Sequence, residues 1–387
     1  MKKFLIILAG ICLAAAGLSG AGTAEDAGPV LEEKALELAG SVLRFPAVSG
    51  MEDGTLQETV NARIREDLKV DGYLQRMNAL ISDDTRSITA DWSGEIAGEV
   101  FSGLLDAEGA VKTLRNSHVW TWSSVDLRDG HEIALGELFT DETAAREAIE
   151  AYLEEIVAPE LSPHLNNSAL TPLPEGFRLE KTGLTLLYDT DQFSTLSGRA
   201  GAVKIGWNEI RDYTDWSEDG IPARFGAAEM VTLTEESAGR IREMTENGRL
   251  PDIPVKIGDS VKEWTDRTHL LNDPEEYSGG RMFAPEGAAF RDVYLLSDAL
   301  GSGWEDSRVQ GIRMDRGCVW GLCIGTTRAE EWRELLGEPD YTVFLDEEAA
   351  EYARTVSGIC DYYESGNYRL QLQADPDGIL ACITLAE

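Results

Sequence analysis

The chain has 387 residues, of which 34 are Lys or Arg and 70 are Asp or Glu, so its formal net charge is −36. This excess of negative charge argues against binding to nucleic acid or anionic membranes and favours cationic partners, unless it serves solubility alone. A hydrophobic content of 43% with nine tryptophans is ample for packed cores and excludes a disordered chain. The length predicts two or three domains.

Residues 1–24 have the pattern of a secretory signal peptide. A short basic start is followed by an apolar stretch and then by small residues. Cleavage after Ala21 or Ala24 would remove two of the 34 basic residues and leave a secreted or cell-surface protein of net charge −38. No insertion into a membrane is expected after cleavage. The alternative is an uncleaved anchor, because the uncharged residues 4–24 could just span a bilayer.

The first half of the chain alternates between strand and helix patterns. Apolar residues at every fourth position, Leu56, Val60 and Ile64, predict a helix. In the segment HVWTWSSVD, Trp120 and Trp122 alternate with smaller residues, which predicts a strand with two distinct faces. Further predicted elements are a hairpin turn at Asp129-Gly130 and a helix over about 142–157. This mixture predicts an α+β fold.

Three separated pieces of this half carry a family resemblance. They are the FP, SG and VN pairs between residues 45 and 61, the segment VDLRDGHEIALGELFTD at 125–141, and residues 177–210. In this order they resemble the extracellular domain shared by the lysozyme-sensing anti-sigma factor RsiV and the peptidoglycan deacetylase PdaC. The resemblance implies an α+β domain over residues 25–215 and, by analogy with one relative, a lysozyme-like partner.

The segment NSHVWTW departs from this family. The family commonly has a Gly-Ala-His motif before its second set of strands, whereas this chain has Asn-Ser-His-Val-Trp at 116–120. The positions that grip lysozyme therefore cannot be transferred. The exposed rim of this segment, with His118, Trp120 and Trp122, is instead the predicted contact for a cationic protein or wall-associated ligand.

Residues 216–250 are predicted to be a linker that contains one amphipathic helix, TEESAGRIREMTENG. After it, a helix-opening phrase occurs twice, as IGDSVKEW at 257–264 and as IGTTRAEEW at 324–332. Each phrase is interpreted as a capping box, formed by Ser260 with Glu263 and by Thr327 with Glu330. The repeat is therefore a structural start signal for two small units and not a catalytic loop.

The pattern GTTxxExxxxLLGxP at 325–339, followed by a late hairpin, resembles the tandem helix–sheet fold of the β-lactamase-inhibitor protein and of BamE-type envelope lipoproteins. Residues 251–387 are therefore expected to form a tandem α+β domain with an antiparallel sheet. Turn signals at Ser365-Gly366 and at residues 375–378 predict three strands near the end of the chain.

Four cysteines remain after removal of residues 1–24, and all lie near the end of the chain. In an exported protein an even, clustered set predicts disulfides, and the sequence contains no Cys-x-x-Cys pair that would favour a metal. The expected pairs are Cys360 with Cys382, in the first and the final strand of a small sheet, and Cys318 with Cys323, across a short loop.

The sequence lacks the motifs of the common hydrolases, zinc proteases and phosphate-binding loops. His131-Glu132 beside Asp126 and Asp129 could touch a metal, but a charged hairpin turn is the favoured interpretation, since Asp-Gly is a turn signal in its own right. Asp189 and Asp191 are a weak calcium possibility. We therefore expect a non-catalytic binding protein of the cell envelope, without cofactor or metal. The alternatives are an assembly or docking factor and a carboxylate-dependent glycan hydrolase.

Overall fold

The computed structural model has an α+β fold in which most strand pairs are antiparallel. Within the described residues no helix is both long and apolar enough to cross a bilayer. The predicted signal sequence at 1–24 lies outside the described part of the chain, as do Asp189 and Asp191. The structure describes residues 28–38, 40–80, 87–109, 118–161, 170–188, 201–253, 255–262, 275–277, 280–283, 293–297 and 307–387.

The first layer is a five-stranded sheet in the order β1-β2-β3-β4-β5. Neighbouring strands are antiparallel except for the short parallel contact of β2 with β3. The strands are β1 (Val30–Leu38), β2 (Ser41–Ser49), β3 (Thr89–Ala97), β4 (Val100–Glu108) and β5 (His118–Asp126). Two helices, α1 (Gly54–Asp67) and α2 (Val70–Ala79), cover one face of this sheet.

The predicted helical stripe is confirmed in α1. Asp53 caps the helix by accepting hydrogen bonds from the amides of Thr55 and Leu56. Val60 and Ile64, one turn apart, are completely buried against the sheet. The carbonyl of Leu68 accepts a hydrogen bond from the Thr121 hydroxyl, which shows that Thr121 faces the helices.

A second layer packs on the other side of β4 and β5. It contains a three-stranded antiparallel sheet of β6 (Gly176–Glu180), β7 (Gly183–Tyr188) and β8 (Gly201–Gly206). Its long helix begins with α3 (Glu142–Tyr152), continues through a π-helical segment at Leu153–Val157 and ends with α4 (Ala158–Leu161). The helix thus continues to Leu161, four residues beyond the predicted end at 157.

The predicted linker folds onto both halves of the chain. It forms α5 (Ile221–Arg224), α6 (Ala228–Val231) and the predicted amphipathic helix α7 (Glu235–Asn247). Gly248 ends α7 in the left-handed region, at φ 62°. The core that contains Phe225 and Val231 also contains Cys318 and Cys323 from the second half. The domain limits at 215 and 250 stay a prediction.

The second half forms an eight-stranded sheet in the order β15-β16-β17-β18-β12-β11-β10-β9. Two four-stranded units thus join through their last strands, β12 and β18, into one continuous sheet. The strands are β9 (Glu275–Tyr277), β10 (Gly280–Phe283), β11 (Val293–Ser297), β12 (Gly311–Met314), β15 (Tyr341–Leu345), β16 (Gly358–Ser365), β17 (Tyr368–Ala374) and β18 (Leu380–Ala386). The hairpin β13 (Cys318–Val319) and β14 (Leu322–Cys323) lies between them, and the helices are α8 (Ala329–Leu336) and α9 (Glu347–Tyr352).

The capping box of α8 lies one residue later than expected. The Glu331 carboxylate accepts from the amide of Arg328 at 2.6 Å. The Thr327 hydroxyl instead accepts from the amide of Cys323 and donates to the carbonyl of Gly321, so the turn before the helix uses it. In the first phrase, Glu263 lies outside the described residues.

One of the two expected disulfides is present. Cys318 and Cys323 are bonded, whereas Cys360 and Cys382 are both free and buried. The prediction of a Cys360–Cys382 bond was wrong because β17 lies between their strands: both residues are register partners of Gln373. Two strand spacings separate them by about 10 Å, which exceeds the ~7 Å limit for a bridge.

Candidate partner-binding surface

Trp120 and Trp122 lie on the face of the five-stranded sheet opposite to α1 and α2. Both side chains are half-buried. They alternate with Thr121 and Ser123, whose hydroxyls bond to Leu68 and Asp67 on the helix side. The prediction that this segment is a two-faced strand is therefore confirmed, and the two indoles share one face.

The neighbouring strands place polar and acidic side chains beside the two indoles. Trp120 is opposite Asp106 on β4, and Asp106 is opposite Asp91 on β3. Cross-strand neighbours such as these lie about 5 Å apart at their Cβ atoms. We call this surface the tryptophan face, defined by Asp91, Ser93, Leu104, Asp106, Trp120 and Trp122.

The tryptophan face is fixed at two of its borders. The Nη1 atom of Arg44 donates to Oδ1 of Asp91 at 2.7 Å, which holds this exposed carboxylate in place. On the other side, the ring of Trp122 lies directly over Gly176 of β6. A Cβ atom on Gly176 would come within 2.8 Å of three ring carbons, so only glycine allows this approach.

His118 is the first residue of β5 and the register partner of Glu108. Its side chain lies outside the described part of the structure. Of the three expected contact residues, the structure thus brings together Trp120 and Trp122. Asp91 and Asp106 were missed by the sequence interpretation. The signal for Asp91 is the period-two polar pattern of TADWSGEIA, which predicts a strand without revealing what that strand lies beside.

The possible metal cluster of Asp126, Asp129 and His131 is engaged by other groups. Oδ2 of Asp126 accepts from Arg224 at 2.6 Å and from Arg128 at 3.0 Å. Burial alone would raise the pKa of Asp126, but the two guanidinium groups lower it to about 2. These cations occupy the carboxylate that a metal would need, so the cluster does not fit a divalent ion.

His131, the third member of that cluster, bridges two carboxylates of the turn. Its Nδ1 lies 2.6 Å from Oδ1 of Asp129, and its Nε2 lies 3.1 Å from Oε2 of Glu137. Burial alone would lower the pKa of His131, but these two carboxylates raise it above the ordinary value. The interpretation of this segment as a charged hairpin turn agrees with these bonds, because both ring nitrogens and both carboxylates serve the turn itself.

Two further buried carboxylates fasten the sheets. Glu180 on β6 forms ion pairs with Arg178 and Lys204; burial would raise its pKa, but these cations lower it to about 2. Asp361 on β16 is completely buried and accepts from the Trp332 indole, the Arg333 guanidinium and the Thr342 hydroxyl. Each carboxylate is matched by cations and donors, as a structural role requires.

An open cleft of about 660 Å³ lies between α1, α2 and the start of β5. Its lining includes Arg65 and Lys69 but also Glu66 and Asp71. The Nη2 atom of Arg65 lies 2.5 Å from Asp71, so part of its positive charge is already balanced. The cleft therefore has mixed charge, and it does not select one class of ion.

Three solved structures are similar to this chain at low identity. A member of the DUF3298 family from Bacteroides fragilis is 12% identical, with a TM-score of 0.39, over 51% of this chain and 95% of its own. A DUF3298 family protein from Pseudomonas aeruginosa is 12% identical, with a TM-score of 0.33, over 48% of this chain and 93% of its own. A DUF4309 family protein from Bacillus subtilis is 14% identical, with a TM-score of 0.27, over 40% of this chain and 97% of its own. No family model and no curated protein matches the sequence.

Proposed function

We propose that this protein is an exported, non-catalytic binding protein of the bacterial cell envelope that recognises a cationic protein or wall-associated ligand on its tryptophan face. The observation that carries the proposal is the position of Trp120 and Trp122, both half-buried, beside Asp91 and Asp106 on one sheet face that β6 covers only in part, at Trp122 and Ser93. Indole rings and carboxylates are the two groups that attract Lys and Arg side chains at short range.

Charge and aromatic surface have separate tasks in this proposal. A net charge of −36 steers a cationic protein toward the surface and raises the rate of encounter. That attraction weakens over a Debye length of roughly 8–10 Å at moderate salt. Affinity comes from water-excluding contacts, for which tryptophan is among the most effective residues. Binding should therefore be both tryptophan-dependent and salt-dependent.

The choice of ligand class rests on the sequence resemblance of residues 25–215 to the RsiV and PdaC extracellular domain. Lysozyme, the partner of one member, is strongly cationic and is thus a suitable first probe. Because the Gly-Ala-His motif is absent, lysozyme serves here as a model for cationic proteins in general. It is not assigned as the natural partner.

The non-catalytic part of the proposal is supported by the pairing of three buried carboxylates. Asp126, Glu180 and Asp361 are each paired with arginine or lysine. A further one, Asp67, has its pKa raised by burial to about 6, and it accepts a hydrogen bond from the Ser123 hydroxyl. A glycosidase needs two carboxyl groups facing a cleft, one of which keeps a proton near neutral pH. Incubation of the full chain with peptidoglycan should release no reducing ends. Release above the blank would favour the glycan hydrolase.

The test is a titration of the chain without residues 1–24 with lysozyme and with a neutral protein of similar size, at low and high salt. We expect lysozyme alone to bind, and more weakly as salt rises. Trp120→Ala should weaken binding at least tenfold, because the substitution removes an aromatic contact. The matched control is Trp92→Ala: Trp92 is also half-buried in this sheet but is the register partner of the core residue Leu105, on the helix side.

Three results would count against the proposal. They are no binding of lysozyme or of other cationic proteins, binding that ignores salt, and equal losses in Trp120→Ala and Trp92→Ala. Thermal unfolding of both variants shows whether a loss of binding reflects a loss of folding.

A further inference from the structure

The edge strand β15 of the eight-stranded sheet is unusually apolar. Its sequence, YTVFL, contains no charge and no proline. The strand is the outermost one at one end of the sheet. Phe344 is 71% exposed, and Tyr341 and Val343 are 39% and 36% exposed. Edge strands expose unpaired backbone N–H and C=O groups, and proteins normally protect them with charges, proline or a covering segment.

The exposure is concentrated around this edge. Eight large apolar side chains are exposed among the described residues, and five of them lie between residues 341 and 356. The two outside the strand are close by in sequence, Tyr352 on α9 and Val356 after it. Three exposed apolar side chains on one uncharged edge strand of an otherwise acidic protein indicate an interaction site at that strand.

The strand is held rigidly from its inner side. Five consecutive residues pair with β16, from Tyr341 opposite Tyr362 to Leu345 opposite Gly358. The rings of Tyr341 and Tyr362 stack with centroids 4.4 Å apart. The Thr342 hydroxyl donates to the completely buried Asp361 at 2.7 Å. Because β15 is already ordered, the binding of another strand would not lose free energy to the ordering of β15.

Acidic residues flank the strand at both ends. Glu338 and Asp340 precede it, and Asp346, Glu347 and Glu348 follow it, all of them exposed. A second copy of this chain paired edge to edge in the antiparallel sense would place the acids of one end against those of the other. Like charges directly opposite one another are destabilising. The flanks therefore disfavour a second copy and favour a segment with basic ends.

We propose that β15 binds an extended segment of another protein as a ninth strand, and that this segment has about five alternating apolar and polar residues between Lys or Arg residues. Main-chain hydrogen bonds to β15 supply much of the affinity. Phe344 and Val343, on opposite faces of the strand, supply side-chain contacts. This surface is separate from the tryptophan face and goes beyond the function proposed above.

The test uses three synthetic peptides with the full chain: KKVTVTVKK, KKVTPTVKK and EEVTVTVEE. The first should bind. The second should bind at least tenfold more weakly, because its central proline removes a ladder N–H and distorts the strand. The third should not bind at physiological salt. Equal binding of the first two peptides would overturn the proposal, since ladder pairing would then contribute nothing.

A matched pair of protein variants locates the site. Phe344→Lys should weaken the binding of KKVTVTVKK at least tenfold, whereas Tyr352→Lys should change that affinity by less than threefold. The two aromatic residues are similarly exposed, at 71% and 69%, and both changes add one positive charge. Similar effects of the two changes would overturn the assignment to the strand. Trp120→Ala should leave peptide binding unchanged, so a failure of this proposal can be distinguished from a failure of the proposed function.

The flanking charges are tested with a second matched pair. The triple variant Glu338→Gln, Glu347→Gln, Glu348→Gln should bind the basic peptide several-fold more weakly and with less salt dependence. The control triple changes Glu52, Glu58 and Glu147, exposed glutamates elsewhere on the surface, to Gln. Equal effects would contradict local recognition. The unmodified chain could instead form a dimer at micromolar concentration that Phe344→Lys abolishes. That result would show that a second copy of the chain is the occupant.

Discussion

The two large sheets of this protein expose different parts of themselves: one exposes side chains on a face, and the other exposes an uncharged edge strand. The five-stranded sheet has a charged edge strand, β1, with Glu32, Glu33, Lys34 and Glu37 in its sequence VLEEKALEL. Its tryptophan face is covered in part by β6, at Trp122 and Ser93. The eight-stranded sheet ends in the uncharged strand β15, and α8 packs against it through Trp332 and Arg333. One sheet thus presents side chains from a face, and the other presents backbone from an edge.

This difference implies two kinds of recognition in one chain. A sheet face is read through side chains, so its affinity should depend on individual tryptophans and tolerate many backbone conformations of the partner. A sheet edge is read through ladder hydrogen bonds, so its affinity should depend on an extended, proline-free partner. Substitutions beneath and between the two surfaces test whether they are as independent as this difference requires.

The largest effect is expected at Asp361, which supports the open edge from beneath. Asp361→Asn leaves the Arg333 guanidinium without its carboxylate and should lower the free energy of unfolding by about 4 kcal/mol, as typical for a broken buried pair. The exposed pair Asp71–Arg65 is the matched control, and Asp71→Asn should cost less than about 1 kcal/mol. Urea unfolding of both variants checks this. Equal costs would show that Asp361 does not anchor the edge.

Glu180 lies on β6, the strand that packs against the tryptophan face at Trp122 and Ser93, and its ion pairs predict a pH dependence. Its pKa falls from an ordinary value of 4.5 to about 2 in the folded protein. Its ion pairs therefore stabilise the fold fully above pH 4.5, and this stability is lost as the pH falls toward 2. Glu180→Gln should cost about 3 kcal/mol at pH 7. The gap in urea midpoint between wild type and variant should shrink below pH 4.5; a gap that stays constant would show that protonation of Glu180 is not the cause.

The Cys318–Cys323 disulfide connects the two halves indirectly, because both sulfurs belong to the core of the first half. Replacing both cysteines with alanine should lower the free energy of unfolding by about 2 kcal/mol, the value that loop closure gives for a ring this short. Cys360→Ala should leave the disulfide intact. In the chain without residues 1–24, which also lacks Cys12, thiol labelling of the unfolded, unreduced protein should then fall from two groups to one. Labelling of four groups in the wild type would contradict the structure.

A smaller effect is expected from Gly176→Ala. The added methyl group would push the ring of Trp122 out of its position over β6. Stability should fall by about 1 kcal/mol through overpacking, and lysozyme binding should weaken several-fold while peptide binding at β15 stays constant. A loss at both surfaces would show that the two surfaces are coupled and not independent.

The sequence predicted local features well and long-range ones poorly. The spacing of Val60 and Ile64 and the alternation around Trp120 and Trp122 were sufficient to predict a buried helical stripe and a two-faced strand. The neighbours of those tryptophans depend on the pairing of β3, β4 and β5, which no local pattern encodes. For the same reason Cys360 and Cys382 were correctly placed in the last sheet but wrongly paired across an intervening strand.

A competition experiment decides whether the chain has two separate binding surfaces. The affinity of the full chain for lysozyme is measured alone and then in the presence of saturating KKVTVTVKK, at physiological salt. If the tryptophan face and the β15 edge are separate sites, the affinity should change by less than about twofold, an allowance for the peptide's positive charge. Displacement of lysozyme by the peptide, with EEVTVTVEE as an inert control, would show that one surface binds both ligands and would contradict the existence of two sites.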